Sequence, residues 1–241
     1  MRTAVFLQVR LSSTRLPGKA LLPLAGKPVI VHAMEGLRRV PAIVHALLTD
    51  ERSAKELEPI ARRHGFTVFT GDPDDVLSRF AAAVRRWRID RYFRATGDNP
   101  LVSGLLAIEL EKRHLAVRAD FSGFLGPPLG TGVELVEAEA ICTADRESVD
   151  LYEREHASPF IYRRPERFRV IRPWAPDEVL MPTARVTLDT RKDLELLERI
   201  YDELYHGDPI EAVELVGWLR NHFESRMHET ERSVHTRRTA G

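Results

Sequence analysis

Arg10, Arg15 and Lys19 stand close together in one short stretch, interleaved with Ser12, Ser13, Thr14, Pro17 and Gly18. Guanidinium, ammonium, hydroxyl and backbone N–H donors at this density suit a polyanion, above all a phosphate chain. The alternative is a solvated basic loop, since Lys and Arg are surface residues by default. Two acidic positions extend the chemistry. Asp98 lies in Thr96-Gly97-Asp98-Asn99-Pro100, and Asp189 follows Ala184-Arg185-Val186-Thr187-Leu188. A carboxylate at a strand end, behind a glycine, is placed to hold Mg²⁺ against phosphate oxygens, because magnesium takes one or two carboxylates and leaves the rest to phosphate and water. A strand-end aspartate also caps the next turn or helix, and both readings stand for Asp98 and Asp189.

The cationic stretch follows the apolar run Ala4-Val5-Phe6-Leu7, which reads as a buried strand. Loops at the carboxyl ends of strands are where open α/β sheets bind ligands. Strand and helix patterns then alternate, with strands expected at 43–48, 67–69, 91–95, 133–136, 168–171 and 184–188. Helices are expected at 29–37, 53–65, 76–87, 138–144, 148–160, 191–205 and 209–223, and 123–132 is a Gly/Pro loop. Residues 1–225 form one domain in this reading, and 226–241 form a polar, disordered tail.

The segment from Arg10 onward resembles the cytidylyltransferases that activate sugar acids with CTP. It is most similar to the branch of spore-coat polysaccharide biosynthesis protein F, and more distantly to CMP-Kdo and CMP-sialate synthetases. Arg10, Ser13, Arg15, Leu16, Pro17, Gly18, Lys19 and Leu21 fall on that family's first loop, and Gly26-Lys27-Pro28-Val29 on its turn. Gly97-Asp98-Asn99-Pro100 and Leu188-Asp189-Thr190-Arg191-Lys192-Asp193-Leu194 match two further segments, whose aspartates chelate the metal in that family. The resemblance implies an α/β, single-domain, nucleotide-diphospho-sugar-transferase-like (Rossmann-like) mixed sheet flanked by helices. It also implies a nucleotide site of Gln8, Val9, Arg10, Ser13, Arg15, Gly18, Lys19 and Thr96, and a Mg²⁺ cofactor on Asp98 and Asp189, with Asp193 at a helix start. Catalysis would rest on Arg10, Lys19, Asp98 and Asp189, and assembly would be a homodimer.

Three further matches point to the acceptor side. Asp75 and Arg79 lie in Gly71 to Phe80; helix capping accounts for Asp74 of the Asp pair there, which leaves Asp75 and Arg79 as candidate contacts to base or acceptor. His156, in Arg154-Glu155-His156, either caps a carbonyl or contacts an anionic substrate. Glu134 follows a loop in which Gly132 stands where the branch usually carries aspartate.

The composition excludes other classes. With 36 basic and 36 acidic residues the formal charge is zero, which argues against a nucleic-acid partner. The single cysteine, Cys142, excludes an internal disulfide framework, and no apolar run is long enough for a membrane span. A cytoplasmic protein is expected. No GxxxxGK[ST] loop, third Rossmann glycine, complete zincin motif or Gly-x-Ser-x-Gly elbow is present. The expected reaction is transfer of CMP from CTP to a small anionic acceptor with release of pyrophosphate. The rivals are a glycosyltransferase of the same fold, for which Asp72-Pro73-Asp74 is a weak DxD match, and a nucleotide-binding protein without turnover.

Overall fold

A computed structural model describes residues 1–222, so the expected tail at 226–241 lies outside the described residues. Seven strands form one mixed sheet. They are β1 (Thr3–Gln8), β4 (Val44–Thr49), β5 (Thr67–Thr70), β6 (Arg91–Thr96), β7 (Phe121–Gly123), β8 (Glu134–Glu137) and β9 (Val170–Ile171), in the spatial order β5-β4-β1-β6-β8-β7-β9. β5, β4, β1 and β6 run parallel, β8 is antiparallel to both β6 and β7, and β9 runs parallel to β7. A two-residue ribbon, β2 (Pro23–Leu24) against β3 (Lys27–Pro28), turns through Ala25 and Gly26 at φ 45 and 79. Two successive positive φ values are the signature of a tight hairpin turn, which the Gly at the second position eases.

β1 alternates its burial between two cores. Val5 and Leu7 pack with Leu47, Phe93 and Leu135 beneath α1 (Val29–Leu37), α2 (Glu51–Arg63) and α4 (Gly104–Val117). Ala4 and Phe6 face the other side, with Leu48, Tyr92 and Val136 against α3 (Val76–Trp87), α5 (Ala138–Glu147) and α7 (Pro159–Tyr162). Two buried faces explain why the strand reads as a continuous apolar run and not as an alternation. The remaining helices are α6 (Leu151–His156), α8 (Arg191–Leu204) and a helical run over 212–222.

Three expectations need correction. Residues 184–188 are not a sheet strand. Ala184, Val186 and Leu188 are buried, but they face α8 in a third cluster with Leu194, Leu197 and Ile200, and the backbone makes one isolated bridge, Arg185 to Leu129. Period-2 burial came from a single apolar contact face without ladder pairing. The helix expected at 148–160 is two, because Ala157 turns at φ 64 and Pro159 starts a new helix. The strand at 168–171 is reduced to Val170–Ile171.

α4 was not anticipated, and its docking depends on a bare glycine pair. A Cβ on Gly36 of α1 would lie 2.6 Å from the Val102 carbonyl oxygen, and one on Gly104 would collide with the Gly36 carbonyl. Gly36→Ala is therefore expected to lower stability by about 1–3 kcal/mol despite alanine's better helix propensity. An unchanged or raised urea midpoint for that variant would show that the two backbones are not in contact.

Candidate active site

The site is built where β1 and β6 end side by side. Gln8 pairs with Thr96 in the β1–β6 register, and the Gly97 N–H donates to the Gln8 carbonyl at 2.8 Å. The loop leaving β1 is held from the far side by α2. The Leu11 N–H donates to Ser53 Oγ at 3.1 Å, and that hydroxyl donates to Asp50, the N-cap of α2, at 2.7 Å. Burial pushes the Asp50 carboxyl up, but the Ser53 N–H and hydroxyl outweigh it and hold its pKa below the ordinary aspartate value. A short 3₁₀ turn, Lys19–Leu21, then swings Lys19 back over the strand tips.

Lys19 is the centre of the arrangement. Its ammonium donates to Asp189 Oδ1 at 2.9 Å and to the Leu188 carbonyl at 2.8 Å, and it forms an ion pair with Asp98. Two carboxylates about ninety residues apart in sequence thus share one cation. Asp189 is further engaged by Arg15 at 3.0 Å, by Arg185, and by the Thr187 hydroxyl at 3.4 Å. Burial raises the Asp189 pKa, but the hydrogen bond and charge of Lys19, helped by Arg15 and Arg185, leave it below the usual aspartate range. Asp189 stays put because the chain after it is capped. Thr190 and Asp193 form a reciprocal capping box at the start of α8, and Asp193 also accepts from the Asp189 N–H at 2.9 Å. Arg10 extends outward to Glu155 of α6 at 3.6 Å.

A cavity of about 530 Å³ lies over this cluster, lined by Gln8, Val9, Arg10, Ser13, Arg15, Lys19 and Thr96 among others, together with both aspartates. Of the residues expected to hold the nucleotide, Gly18 faces not this cavity but the adjoining groove of about 980 Å³, which Ser13 also lines and which is formed by the β1 loop, Asp50–Ser53 and Gly71–Pro73. Among the described residues no group of three metal-ligating side chains exists. The Asp98–Asp189 pair still fits Mg²⁺, which takes most of its coordination from phosphate and water.

On the opposite side, Thr96 and Asn99 also line a third cavity, of about 640 Å³, between β6, β8 and the Gly/Pro loop. Glu134 sits there, accepting from Arg94 at 2.8 Å and from the Ser158 hydroxyl at 2.6 Å, while Arg94 reaches Gln8 at 3.1 Å. The other acceptor-side residues are placed elsewhere. Asp75 caps α3 through the Ser78 N–H and pairs with Arg154 at 2.6 Å. Arg79 is buried with Nη1 on the Asp72 carbonyl at 3.1 Å. His156 is exposed beside the Tyr152 ring at 4.3 Å and lines none of the three cavities. Asp72, from the DxD-like triplet, accepts the N–H groups of Asp74 and Asp75, as a turn residue does.

Sequence reasoning missed Arg185, Asn99 and Arg172. Asn99 was legible within its Gly-Asp-Asn-Pro turn, and it donates to the Thr96 hydroxyl at 2.7 Å. Arg185 was hidden inside an apparent strand, and nothing around Arg172 in the sequence marks it.

A cationic loop leaving a parallel strand, with two acidic groups gathered at the same edge of the sheet, is the arrangement of a nucleotidyltransferase-type α/β protein. Solved structures agree on the fold. A cytidylyltransferase from Leptospira borgpetersenii superposes with a TM-score of 0.85 at 26% identity, covering 93% of this chain and 96% of that one. A CMP:2-keto-3-deoxy-manno-octonic acid synthetase complexed with CTP shares the fold at a TM-score of 0.65 and 15% identity, covering 84% of this chain and 99% of that one. The spore coat polysaccharide biosynthesis protein SpsF of Bacillus subtilis is 30% identical over 225 residues, 88% of this chain and 92% of its own. The cytidylyltransferase family model matches residues 4–213. The chain belongs to the cytidylyltransferase family and is an enzyme of the nucleotidyltransferase class. Among the described residues no helix is long and apolar enough to cross a membrane.

Proposed function

We propose that the protein transfers CMP from CTP to a small anionic acceptor and releases pyrophosphate. The observation that carries this is the meeting of Asp98 and Asp189 on Lys19 at the tips of β1 and β6, flanked by Arg10 and Arg15. Family membership supports the choice of nucleotide. An acceptor oxygen attacks the α-phosphorus, the new O–Pα bond forms, and the bond from Pα to the bridging oxygen breaks as pyrophosphate departs. Lys19, Arg10 and Arg15 neutralise the charge gathering on the leaving β- and γ-phosphates. Asp98 and Asp189 would hold Mg²⁺, whose chemistry here is to polarise the α-phosphate and neutralise its charge. The Thr190–Asp193 capping box and the Lys19–Leu188 bond fix where Asp189 points. Positioning and charge stabilisation suffice, so a protein nucleophile is not required.

The test is pyrophosphate release with Mg²⁺ across four nucleoside triphosphates and a panel of anionic acceptors. CTP is expected to be the productive nucleotide, and equal use of all four would sink the assignment. A nucleotide-sugar donor that transfers its sugar instead would favour the glycosyltransferase reading. The same proposal makes the enzyme a cytoplasmic homodimer, and a monomeric mass in light scattering would remove the second half of it.

A further inference from the structure

β6 carries a guanidinium where its neighbours in the strand are core residues. Arg94 stands between the buried Phe93 and Ala95, and its own side chain is 15% exposed. The register sets Phe6 of β1 beside it and Glu134 of β8 directly opposite. Gln8, two residues on from Phe6, shares that face and lies on the diagonal, within reach of a long side chain. The guanidinium accordingly donates through Nη1 to Glu134 Oε2 at 2.8 Å and through Nη2 to Gln8 Oε1 at 3.1 Å. Glu134 Oε2 is held in turn by the hydroxyl of the fully buried Ser158 at 2.6 Å.

This network stabilises the fold poorly. Arg94 Nε is shut off from solvent and has no acceptor among the described residues, and neither has the buried hydroxyl of Tyr92, two residues earlier in β6. A buried ion pair with an orphaned donor contributes less than well-packed carbon of the same volume. What the guanidinium does fix is an amide. Arginine only donates, so Gln8 must turn its oxygen toward Arg94 and its NH₂ group away. Gln8 is the last residue of β1 and lines the same cavity as Arg15, Lys19, Asp98 and Asp189. Its two N–H donors have no acceptor among the described residues, so they are left to that cavity.

We infer that Arg94, braced by Glu134, is a positioning residue that keeps the Gln8 amide turned with its N–H groups toward the phosphate chain of the nucleotide. The inference rests on the reading of this cavity as the triphosphate site. A free glutamine amide samples two orientations, one of which would present an oxygen to phosphate. A guanidinium behind it removes that orientation before the ligand arrives, so no ordering cost falls on binding. Glu134 faces the acceptor-side cavity, yet through Arg94 it acts on the nucleotide side.

The test is a double-mutant cycle on the full chain, read as affinity for CTP and for inorganic triphosphate by calorimetry with Mg²⁺ present. Gln8→Met removes the donor and is expected to weaken both ligands about 30-fold, the size of a hydrogen bond to a charged group. Arg94→Lys cannot span Glu134 and Gln8 with one fork and is expected to weaken both about tenfold. Added to Gln8→Met, the same lysine substitution is expected to cost less than about threefold more, because Arg94 acts through the amide. Unchanged affinity in Gln8→Met overturns the inference. Losses that multiply also overturn it, since a residue that supports the fold or meets the ligand itself lowers affinity in either background. A loss confined to CTP, with inorganic triphosphate unchanged, overturns it too, by putting the amide on base or ribose. Should Arg94→Lys fail to fold, Glu134→Gln takes its place in the cycle with the same outcomes, since it keeps an oxygen for Arg94 and removes the charge that holds it. A parent chain that binds inorganic triphosphate but not CTP sinks the cytidylyl-transfer reading alone, and the cycle is then read with triphosphate. One that binds neither overturns both.

Discussion

Asp98→Asn is expected to slow pyrophosphate release about a thousandfold, equivalent to ~4 kcal/mol of lost transition-state stabilisation. The substitution keeps the shape and keeps an oxygen acceptor toward Lys19, so the packing around β6 is undisturbed. What it removes is the negative charge that anchors a divalent ion beside the α-phosphate. The backbone geometry is independent of that charge, because the Asp98 carbonyl accepts the Leu188 N–H at 3.2 Å regardless of the side chain. Thermal unfolding without ligand should therefore move by no more than a few degrees, about what 1 kcal/mol shifts. A variant within tenfold of the parent would show that Asp98 does not hold the ion.

Lys19→Met should cost both stability and chemistry. Three acceptors lose their shared donor: Asp98, Asp189 and the Leu188 carbonyl. The ammonium is largely shielded, with its side chain 12% exposed, so the loss leaves two carboxylates facing each other with little water between them. A stability loss of about 1–3 kcal/mol is expected from acceptors left unsatisfied, discounted because both aspartates remain partly open to solvent. Turnover should fall about 10²–10³-fold, the size seen when one preorganised donor to a developing anion is removed. Because the two carboxylates are left without their cation, millimolar Mg²⁺ is expected to raise the unfolding temperature of this variant more than that of the parent. Equal shifts in both proteins would mean that the lysine and the metal do not share the same pair of oxygens.

Much of the cationic loop was legible because its chemistry is local. Arg10, Ser13, Arg15 and Lys19 follow directly from a strand whose burial on both faces makes it conspicuous, and they do line one cavity. Helices at Val29–Leu37 and Val76–Trp87 were equally readable, since apolar periodicity and an Asp N-cap before Val76 are near-neighbour signals. The segment Ala184 to Leu188 misled for an instructive reason. Alternating burial is the same whether a chain pairs in a sheet or lies against a helix, and only its backbone partners tell the two apart. Asp75 and Arg79 were ambiguous from the start, because a carboxylate at a helix start and a buried guanidinium are satisfied within the fold as readily as by a ligand.

By itself the sequence determined the donors: which residues carry charge, which strand precedes them, and that two aspartates stand at the ends of apolar runs. Tertiary structure alone decided that those aspartates meet on Lys19, that Arg185 joins them, and that Arg172 lines the cavity beyond Asn99. The reason is distance along the chain. Periodicity and capping are written within a turn or two of helix, whereas a site assembled from β1, β6 and the approach to α8 exists only once the sheet order and two cores have brought its parts together.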